Sequence, residues 1–236
     1  MVRPLIAKLA LSAFALAALP AFGANTVSVT QAAALGPASS QWGLQVNLVD
    51  AAPRNATYVM ASPAQGFNNE TTLKGSFFIN PQNLTVSTIP GQHYFQMIDF
   101  LNSVSAGGKV QMIFHLTRSG TGNWFINVYH WNQNLAGGAG NFQFSGNGFF
   151  ALGNNPSFSN NRIDFEWTAG NPGHLTMWRT LYINGVPDAS GTIQMFSVNL
   201  PGQQNAVINY VFAGLFAAHN PGTFGTLYLD EFTFNR

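Results

Sequence analysis

The sequence is divided into many short apolar runs by clusters of glycine, proline and asparagine, and no long segment keeps a helical period. Runs of this length bounded by turn residues are typical of β-strands. The predicted strands are residues 41–49, 57–61, 73–79, 84–89, 94–101, 110–118, 124–131, 141–144, 163–168, 175–178, 181–184, 192–198, 207–215 and 227–234. So regular a series predicts an all-β chain folded as an antiparallel sandwich or barrel.

Strict alternation identifies the two faces of one of these strands. In KVQMIFHLTR, residues 109–118, one side carries Val110, Met112, Phe114 and Leu116. Successive side chains of a strand point to opposite faces, so this apolar side is expected in the core.

The next segment, NWFINVYHWN, also alternates, but both of its sides carry rings. One side is apolar and is expected in the core: Trp124, Ile126 and Val128. The other side mixes rings with an amide: Phe125, Asn127, Tyr129 and Trp131. Flat rings beside hydrogen-bonding groups suit sugars, whose C–H faces stack on rings while their hydroxyls bond amides. A second hydrophobic layer under a loop is the alternative.

Charge and cysteine content exclude several classes of function. Charged residues make up 7% of the chain, aromatic residues make up 14%, and there is no cysteine. The sequence therefore excludes thiol catalysis and zinc–cysteine sites. Without residues 1–23, seven basic residues stand against eight acidic ones, so we expect no nucleic-acid partner.

The first residues have the pattern of a secretory signal peptide. Arg3 and Lys8 precede an apolar run from residue 9 to 19, and small residues follow up to Gly23. We therefore expect a signal peptide at 1–23 and one β-sandwich domain at 24–236. This predicts a secreted, periplasmic or cell-surface protein with no membrane span after cleavage.

The carboxy-terminal third resembles a known superfamily. The segments HLTMWRTLYINGVPDASG and VINYVFAGLFAAHNPGTFGTLYLDEFTFNR are similar to the end of laminin-G-like, concanavalin A-like lectin/glucanase jelly rolls. The matching pieces are a strand with a tight turn at 182–185, an apolar stretch at 211–215 and a last strand at 225–232. The resemblance implies a jelly-roll sandwich and speaks to fold more than to function.

The same resemblance bears on NRIDFEWTAG, residues 161–170. Laminarinase-type enzymes of this superfamily carry a Glu-x-Asp-x-Glu strand, and Asp164 and Glu166 fall at its last two acidic positions. Arg162 occupies the position of the nucleophile, and arginine cannot attack an anomeric carbon. The alternative is an ordinary strand in which Arg162 neutralises Asp164 on the wet face. An acid facing Glu166 from another strand, such as Asp99, would restore hydrolysis.

Metal and cofactor sites are not predicted. The histidines at 93, 115, 130, 174 and 219 lack the spacing of metal ligands. Asp230 and Glu231 offer only a weak case for Ca²⁺, because adjacent residues of a strand point to opposite faces.

We therefore expect an exported, non-catalytic carbohydrate-binding or adhesive jelly-roll domain whose partner is an oligo- or polysaccharide. The alternatives are a glycan-cleaving enzyme on the same fold and a self-assembling structural surface protein. The oligomeric state is not predicted. The expected ligand-binding residues share one concave face: Asn127, Tyr129, Trp131, Asp164, Glu166 and Trp178.

Overall fold

A computed structural model of the chain consists almost entirely of antiparallel strands. It contains, within the residues it describes, no helix that is long and apolar enough to cross a membrane. The described residues are 26–31, 35, 43–49, 57–61, 68–81, 84–85, 94–103, 109–118, 124–134, 141–145, 159–183, 186–188, 194–215 and 224–235. The predicted signal peptide, 1–23, and most of the predicted strand 84–89 lie outside them.

The strands form two sheets. Sheet A contains β1 (Thr26–Thr30), β2 (Gly43–Leu48), β4 (Thr72–Asn80), β9 (Ser159–Thr168), β10 (Gly173–Ile183), β11 (Val186–Pro187), β12 (Gln194–Leu200) and β14 (Gly225–Asn235). Sheet B contains β3 (Thr57–Ala61), β5 (Tyr94–Leu101), β6 (Val110–Arg118), β7 (Trp124–Asn132), β8 (Asn141–Phe144) and β13 (Tyr210–Leu215).

The order of the strands brings the two ends of the described chain together. Sheet A runs β1-β2-β14-β4-β9-β10-β11, with β12 also paired to β10. Sheet B runs β3-β13-β5-β6-β7-β8. Because β14 pairs with both β2 and β4, the last strand lies inside the sheet, next to the strands from the start of the described chain.

The two sheets pack face to face around one apolar core, as the alternation predicts. Phe114 of β6 meets Phe165 of β9 edge to face, with 5.5 Å between ring centroids. Phe100 of β5 also contacts Phe165, at 5.6 Å. Edge-to-face pairs of this kind add to the burial of the rings themselves. The fold is an antiparallel β-sandwich, which confirms the predicted fold class.

Several strand bounds match the prediction, and the main difference has a clear cause. β3, β5, β6 and β8 begin and end where the alternation predicts. The predicted strands 175–178 and 181–184 are one strand, β10, because Arg179 and Thr180 continue the antiparallel register with Ile163 and Arg162 of β9.

A buried amide joins the two sheets at one end of the sandwich. The Trp167 indole N–H of sheet A donates to Gln203 Oε1 at 2.8 Å. Gln203 Nε2 in turn donates to the backbone carbonyl of Gln111 in sheet B at 2.9 Å. Gln203 is fully buried, so it fixes the start of β6 relative to β9.

Candidate functional site

The outer face of sheet B carries a row of rings beside buried polar side chains. The even-numbered residues of β6 and β7 point into the core: Met112, Phe114, Leu116, Trp124, Ile126 and Val128. The odd-numbered residues of the same strands therefore point outward. We call this surface the aromatic–amide face. Its residues are Asp99 of β5, Gln111, Ile113 and His115 of β6, Asn127, Tyr129 and Trp131 of β7, and Phe142 and Phe144 of β8.

Four rings form the side of this face nearest to β8. Tyr129 lies opposite Phe144 in the register, and Trp131 lies opposite Phe142, each pair with 5.2 Å between ring centroids. Phe142 and Phe144 are exposed, whereas Tyr129 and Trp131 are partly buried. The ammonium group of Lys109 lies 5.0 Å from the centre of the Trp131 ring, within cation–π range.

On the same face, the side-chain amides of Asn127 and Gln111 donate hydrogen bonds to other groups of the protein. Asn127 Nδ2 donates to Thr117 Oγ1 at 2.8 Å, and Gln111 Nε2 donates to the carbonyl of Lys109 at 3.2 Å. The other atoms of the two amides, Asn127 Oδ1 and Gln111 Oε1, are buried and have no hydrogen-bond partner within the described residues. Both oxygens are shielded from solvent, so a ligand on the surface of the face would not reach them.

His115 lies between these groups. It pairs with Asn127 in the register, and its ring centroid is 4.6 Å from that of Tyr129. Burial lowers the pKa of His115 to about 4, because the imidazolium is poorly solvated there. The imidazole is therefore neutral at pH 7, and it adds a polar group without adding a charge.

Asp99 does not lie near the acidic strand of sheet A. It is fully buried on the sheet B side of the molecule, opposite Ile113 of β6 and Phe212 of β13. Glu166 belongs to the outer face of the other sheet. The suggestion that Asp99 faces Glu166 across a cleft is wrong, because the whole sandwich separates the two carboxylates.

The two carboxylates of the sequence NRIDFEWTAG form ion pairs on the outer face of sheet A. Arg162 donates to Asp164 Oδ1 through Nε at 3.1 Å and through Nη2 at 2.8 Å. Glu166 Oε1 accepts from Lys74 Nζ of β4 at 2.7 Å. Ile163, Phe165 and Trp167 alternate with the charged residues and are buried in the core. The stretch has the geometry of a strand with an apolar inner face and a charged outer face.

The structure divides the six predicted ligand-binding residues between opposite faces. Asn127, Tyr129 and Trp131 lie together on the aromatic–amide face of sheet B. Asp164, Glu166 and Trp178 lie on the outer face of sheet A, where Trp178 is opposite Asp164. The expectation that all six share one concave face is wrong, because alternation separates inside from outside but does not assign a strand to a sheet.

The described acids and histidines do not form a group that could hold a metal ion. Asp230 is buried and accepts from the backbone N–H groups of Leu35 and Glu231, at 2.8 and 2.7 Å. Glu231 has a φ of 46° where the register of β14 with β4 shifts. These contacts give Asp230 a structural role in ordering a β-bulge.

Six members of the aromatic–amide face were not among the predicted ligand-binding residues: Asp99, Gln111, Ile113, His115, Phe142 and Phe144. The alternation in residues 109–118 already placed Gln111 and His115 on the side away from the core. Both residues are buried on that side, which the alternation does not predict. The pairing of β8 with β7 brings the two phenylalanines to the site.

Comparison with known proteins gives matches only at the level of structure. No family model matches the chain, and no curated protein matches it. The alginate lyase Aly36B matches with 10% identity over 84% of this chain and 82% of the enzyme, at a TM-score of 0.45. A variant of the same lyase in complex with alginate tetrasaccharide matches with 10% identity over 82% and 80%, at 0.47. An alginate lyase from Pseudomonas aeruginosa matches with 13% identity over 82% and 72%, at 0.35.

Proposed function

We propose that this chain binds a polysaccharide along the aromatic–amide face. The observation that supports the proposal most directly is the group of four exposed or partly exposed rings that β7 and β8 place side by side, with the ammonium group of Lys109 over one of them. Tyr129 and Trp131 would stack on the C–H faces of sugar rings. We also propose that the protein is exported, because an exported protein meets polysaccharides at the cell surface.

Hydrolysis of the bound chain has little support in the described part of the site. A glycosidase of the usual kind needs two carboxyl groups on either side of the scissile bond. Asp99 is the only carboxylate that the described residues place on this face, and it is fully buried. Asp164 and Glu166 are ion-paired on the other side of the sandwich. We therefore propose binding without hydrolysis.

The main test compares two tryptophans on opposite faces. Wild-type protein, Trp131→Ala and Trp178→Ala are titrated with polysaccharides that the wild type retains in a pull-down panel. We expect Trp131→Ala to weaken binding by about tenfold or more, which corresponds to about 1.4 kcal/mol. Trp178→Ala should bind like the wild type. Equal losses in both variants, or a loss only in Trp178→Ala, would place the ligand elsewhere and overturn the proposal.

A further inference from the structure

We infer that Ser197, on the outer face of sheet A, is a nucleophile that takes an acyl group from a small ester with an apolar acyl or aryl group. The site consists of four polar side chains: His174 and Thr176 of β10, and Ser197 and Asn199 of β12. It lies on the face opposite the proposed polysaccharide site and does not depend on that site.

The pairing of β10 with β12 brings the four polar side chains together. In the antiparallel register His174 lies opposite Asn199, and Thr176 lies opposite Ser197. The residues that alternate with them are buried in the core: Leu175, Met177, Phe196 and Leu200. The four polar side chains therefore project from the outer face, where a small molecule can reach them.

The two ring nitrogens of His174 have different partners. Nδ1 lies 3.2 Å from Asn199 Oδ1. Because an amide oxygen only accepts, Nδ1 of the neutral ring carries the proton and Nε2 is left as an acceptor. Ser197 Oγ lies 2.9 Å from Nε2, and Thr176 Oγ1 lies 3.2 Å from it. The shorter contact makes Ser197 the hydroxyl whose proton the imidazole accepts.

These contacts give each of the four groups a role in nucleophilic catalysis. A hydroxyl attacks well only when a base takes its proton, and the base in turn needs a third group that holds its orientation. His174 is the base, and Asn199 is its positioning residue. Thr176 Oγ1 lies 3.4 Å from Ser197 Oγ. Its hydroxyl can therefore donate to a carbonyl oxygen that becomes negative beside the serine.

The reaction that this arrangement supports is transfer of an acyl group. Ser197 Oγ attacks the carbonyl carbon of the ester, and its proton passes to His174 Nε2. The bond from the carbonyl carbon to the alcohol oxygen then breaks, and that oxygen leaves with the proton from Nε2. Water attacks the acyl-serine in the same way, so that ester and water give acid and alcohol.

The neighbouring residues indicate the class of ester. Trp178 and Met195 lie opposite each other in the register, next to the pair formed by Thr176 and Ser197. Met195 is 66% exposed, and Trp178 is partly exposed. An acyl chain or an aryl ring that covers these two side chains removes apolar surface from water. This favours esters with an apolar group over small polar ones.

Covalent labelling of the whole mature chain tests the activation of Ser197. An alkyl fluorophosphonate forms a bond from phosphorus to a serine oxygen as fluoride leaves, and the reaction needs a base for the serine proton. Mass spectrometry of the peptides locates the label. Ser28 of β1 is the internal control, because it is exposed on a strand pair, β1 and β2, that contains no histidine.

We expect the label on Ser197 and no label above background on Ser28. His174→Gln should slow labelling of Ser197 by at least about tenfold, because the general base is lost. Asn199→Leu should slow it by about tenfold, whereas Asn199→Asp should keep most of the rate, since a carboxylate also holds the Nδ1 proton. All three positions are exposed, so these variants should fold like the wild type.

Hydrolysis of 4-nitrophenyl butyrate tests the acyl transfer itself. The wild type should release 4-nitrophenol at least about tenfold faster than Ser197→Ala and should carry a butyryl group on Ser197. Ser197→Ala keeps His174, so it measures the background reaction of the exposed imidazole with the ester.

Three results would overturn the inference. Labelling of Ser197 no faster than that of Ser28, or unchanged in His174→Gln, would show that the serine is not activated. A label on Thr176 in place of Ser197 would assign the nucleophile to the other hydroxyl. Equal release of 4-nitrophenol by the wild type and Ser197→Ala would exclude acyl transfer through this serine.

Discussion

His115 on the outer face of sheet B is buried, whereas Glu166 on the outer face of sheet A is about half exposed. His115 is buried among polar groups, and its pKa falls from 6.5 to about 4. In the unfolded chain the imidazole takes up its proton near pH 6.5, whereas the folded protein resists protonation until about pH 4. The unfolded state therefore binds more protons between these values, so stability is fully present above pH 6.5 and is lost as the pH falls.

This predicts a pH-dependent difference between the wild type and His115→Gln. The free energy of unfolding of the wild type should fall by about 3 kcal/mol more than that of the variant between pH 6.5 and 4. Burial also lowers the pKa of His130, but that residue is present in both proteins and its effect cancels. Urea unfolding at several pH values measures the difference. Parallel pH profiles of the two proteins would show that His115 is not buried.

A second prediction concerns the carboxylates of sheet A. Lys74 and Glu166 form an ion pair in which both side chains are about half exposed or more, and such pairs contribute little. Glu166→Gln should change the free energy of unfolding by less than about 1 kcal/mol. Asp230→Asn should cost about 1 to 3 kcal/mol, because the buried carboxylate accepts two backbone N–H groups. Denaturant unfolding compares the two variants, and equal effects would contradict the assignment.

The sequence was sufficient to predict which way individual side chains point, but not how deeply they are buried. Asn127, Tyr129 and Trp131 were expected on a ring-and-amide row, and alternation alone specifies that row. The burial of Gln111 and His115 on the side away from the core was not predictable. The alternation assigns both residues to that side but carries no information on their exposure.

At the scale of the strands, β4 shows how one residue lets three strands pack closely. Gly75 faces the core, and a methyl group added there would lie 2.6 Å from Phe165 of β9 and 2.9 Å from Phe234 of β14. Phe165 belongs to the buried core and Phe234 is partly buried against it, so the Phe165 ring in particular has little freedom to move away. The glycine is therefore required by the packing of neighbouring strands.

Gly75→Ala should accordingly destabilise the fold by about 1 to 3 kcal/mol through overpacking. The double variant Gly75→Ala with Phe234→Leu should recover part of that loss, because it removes one of the two close contacts. Thermal and denaturant unfolding of the three proteins measure the coupling. An alanine variant as stable as the wild type would mean that these strands pack less closely.

The sequence predicts where strands occur better than it predicts whether two neighbouring runs form one continuous strand. The runs that became β5 and β6 have clear apolar alternation and turn residues at both ends. In β10 the polar pair Arg179 and Thr180 interrupts the alternation, yet the pairing with β9 continues through it. The pairing partner decides such a case, and a partner distant in sequence leaves no local signal.

At the scale of the whole molecule, Gln203 connects the core of sheet A to the strand that carries Gln111 and His115. Gln203→Met preserves the approximate size of the side chain but leaves the Trp167 N–H and the Gln111 carbonyl without their partner. We expect a loss of about 2 to 5 kcal/mol in the free energy of unfolding, since two buried polar groups become unsatisfied. Gln204→Met, at the exposed neighbouring position, is the matched control and should change stability little. Equal stabilities of the two variants would contradict this role.

The assignment of strands to sheets was the part of the fold that the sequence could not provide. Two strands with the same alternation, β7 and β9, have outer faces on opposite sides of the molecule. Their separation follows from long-range pairing, of β7 with β6 and β8 and of β9 with β4 and β10. For this reason the residues predicted to form one site on a concave face lie on two opposite outer faces.

The central claim is that the ligand contacts the outer face of sheet B and leaves that of sheet A free. Hydroxyl-radical footprinting, with mass spectrometry of the labelled peptides, tests it in the unmodified protein with a retained polysaccharide present or absent. Saturating ligand should protect Trp131 and Tyr129 from oxidation and leave Trp178 as reactive as before. Protection of Trp178 without protection of Trp131 would contradict it.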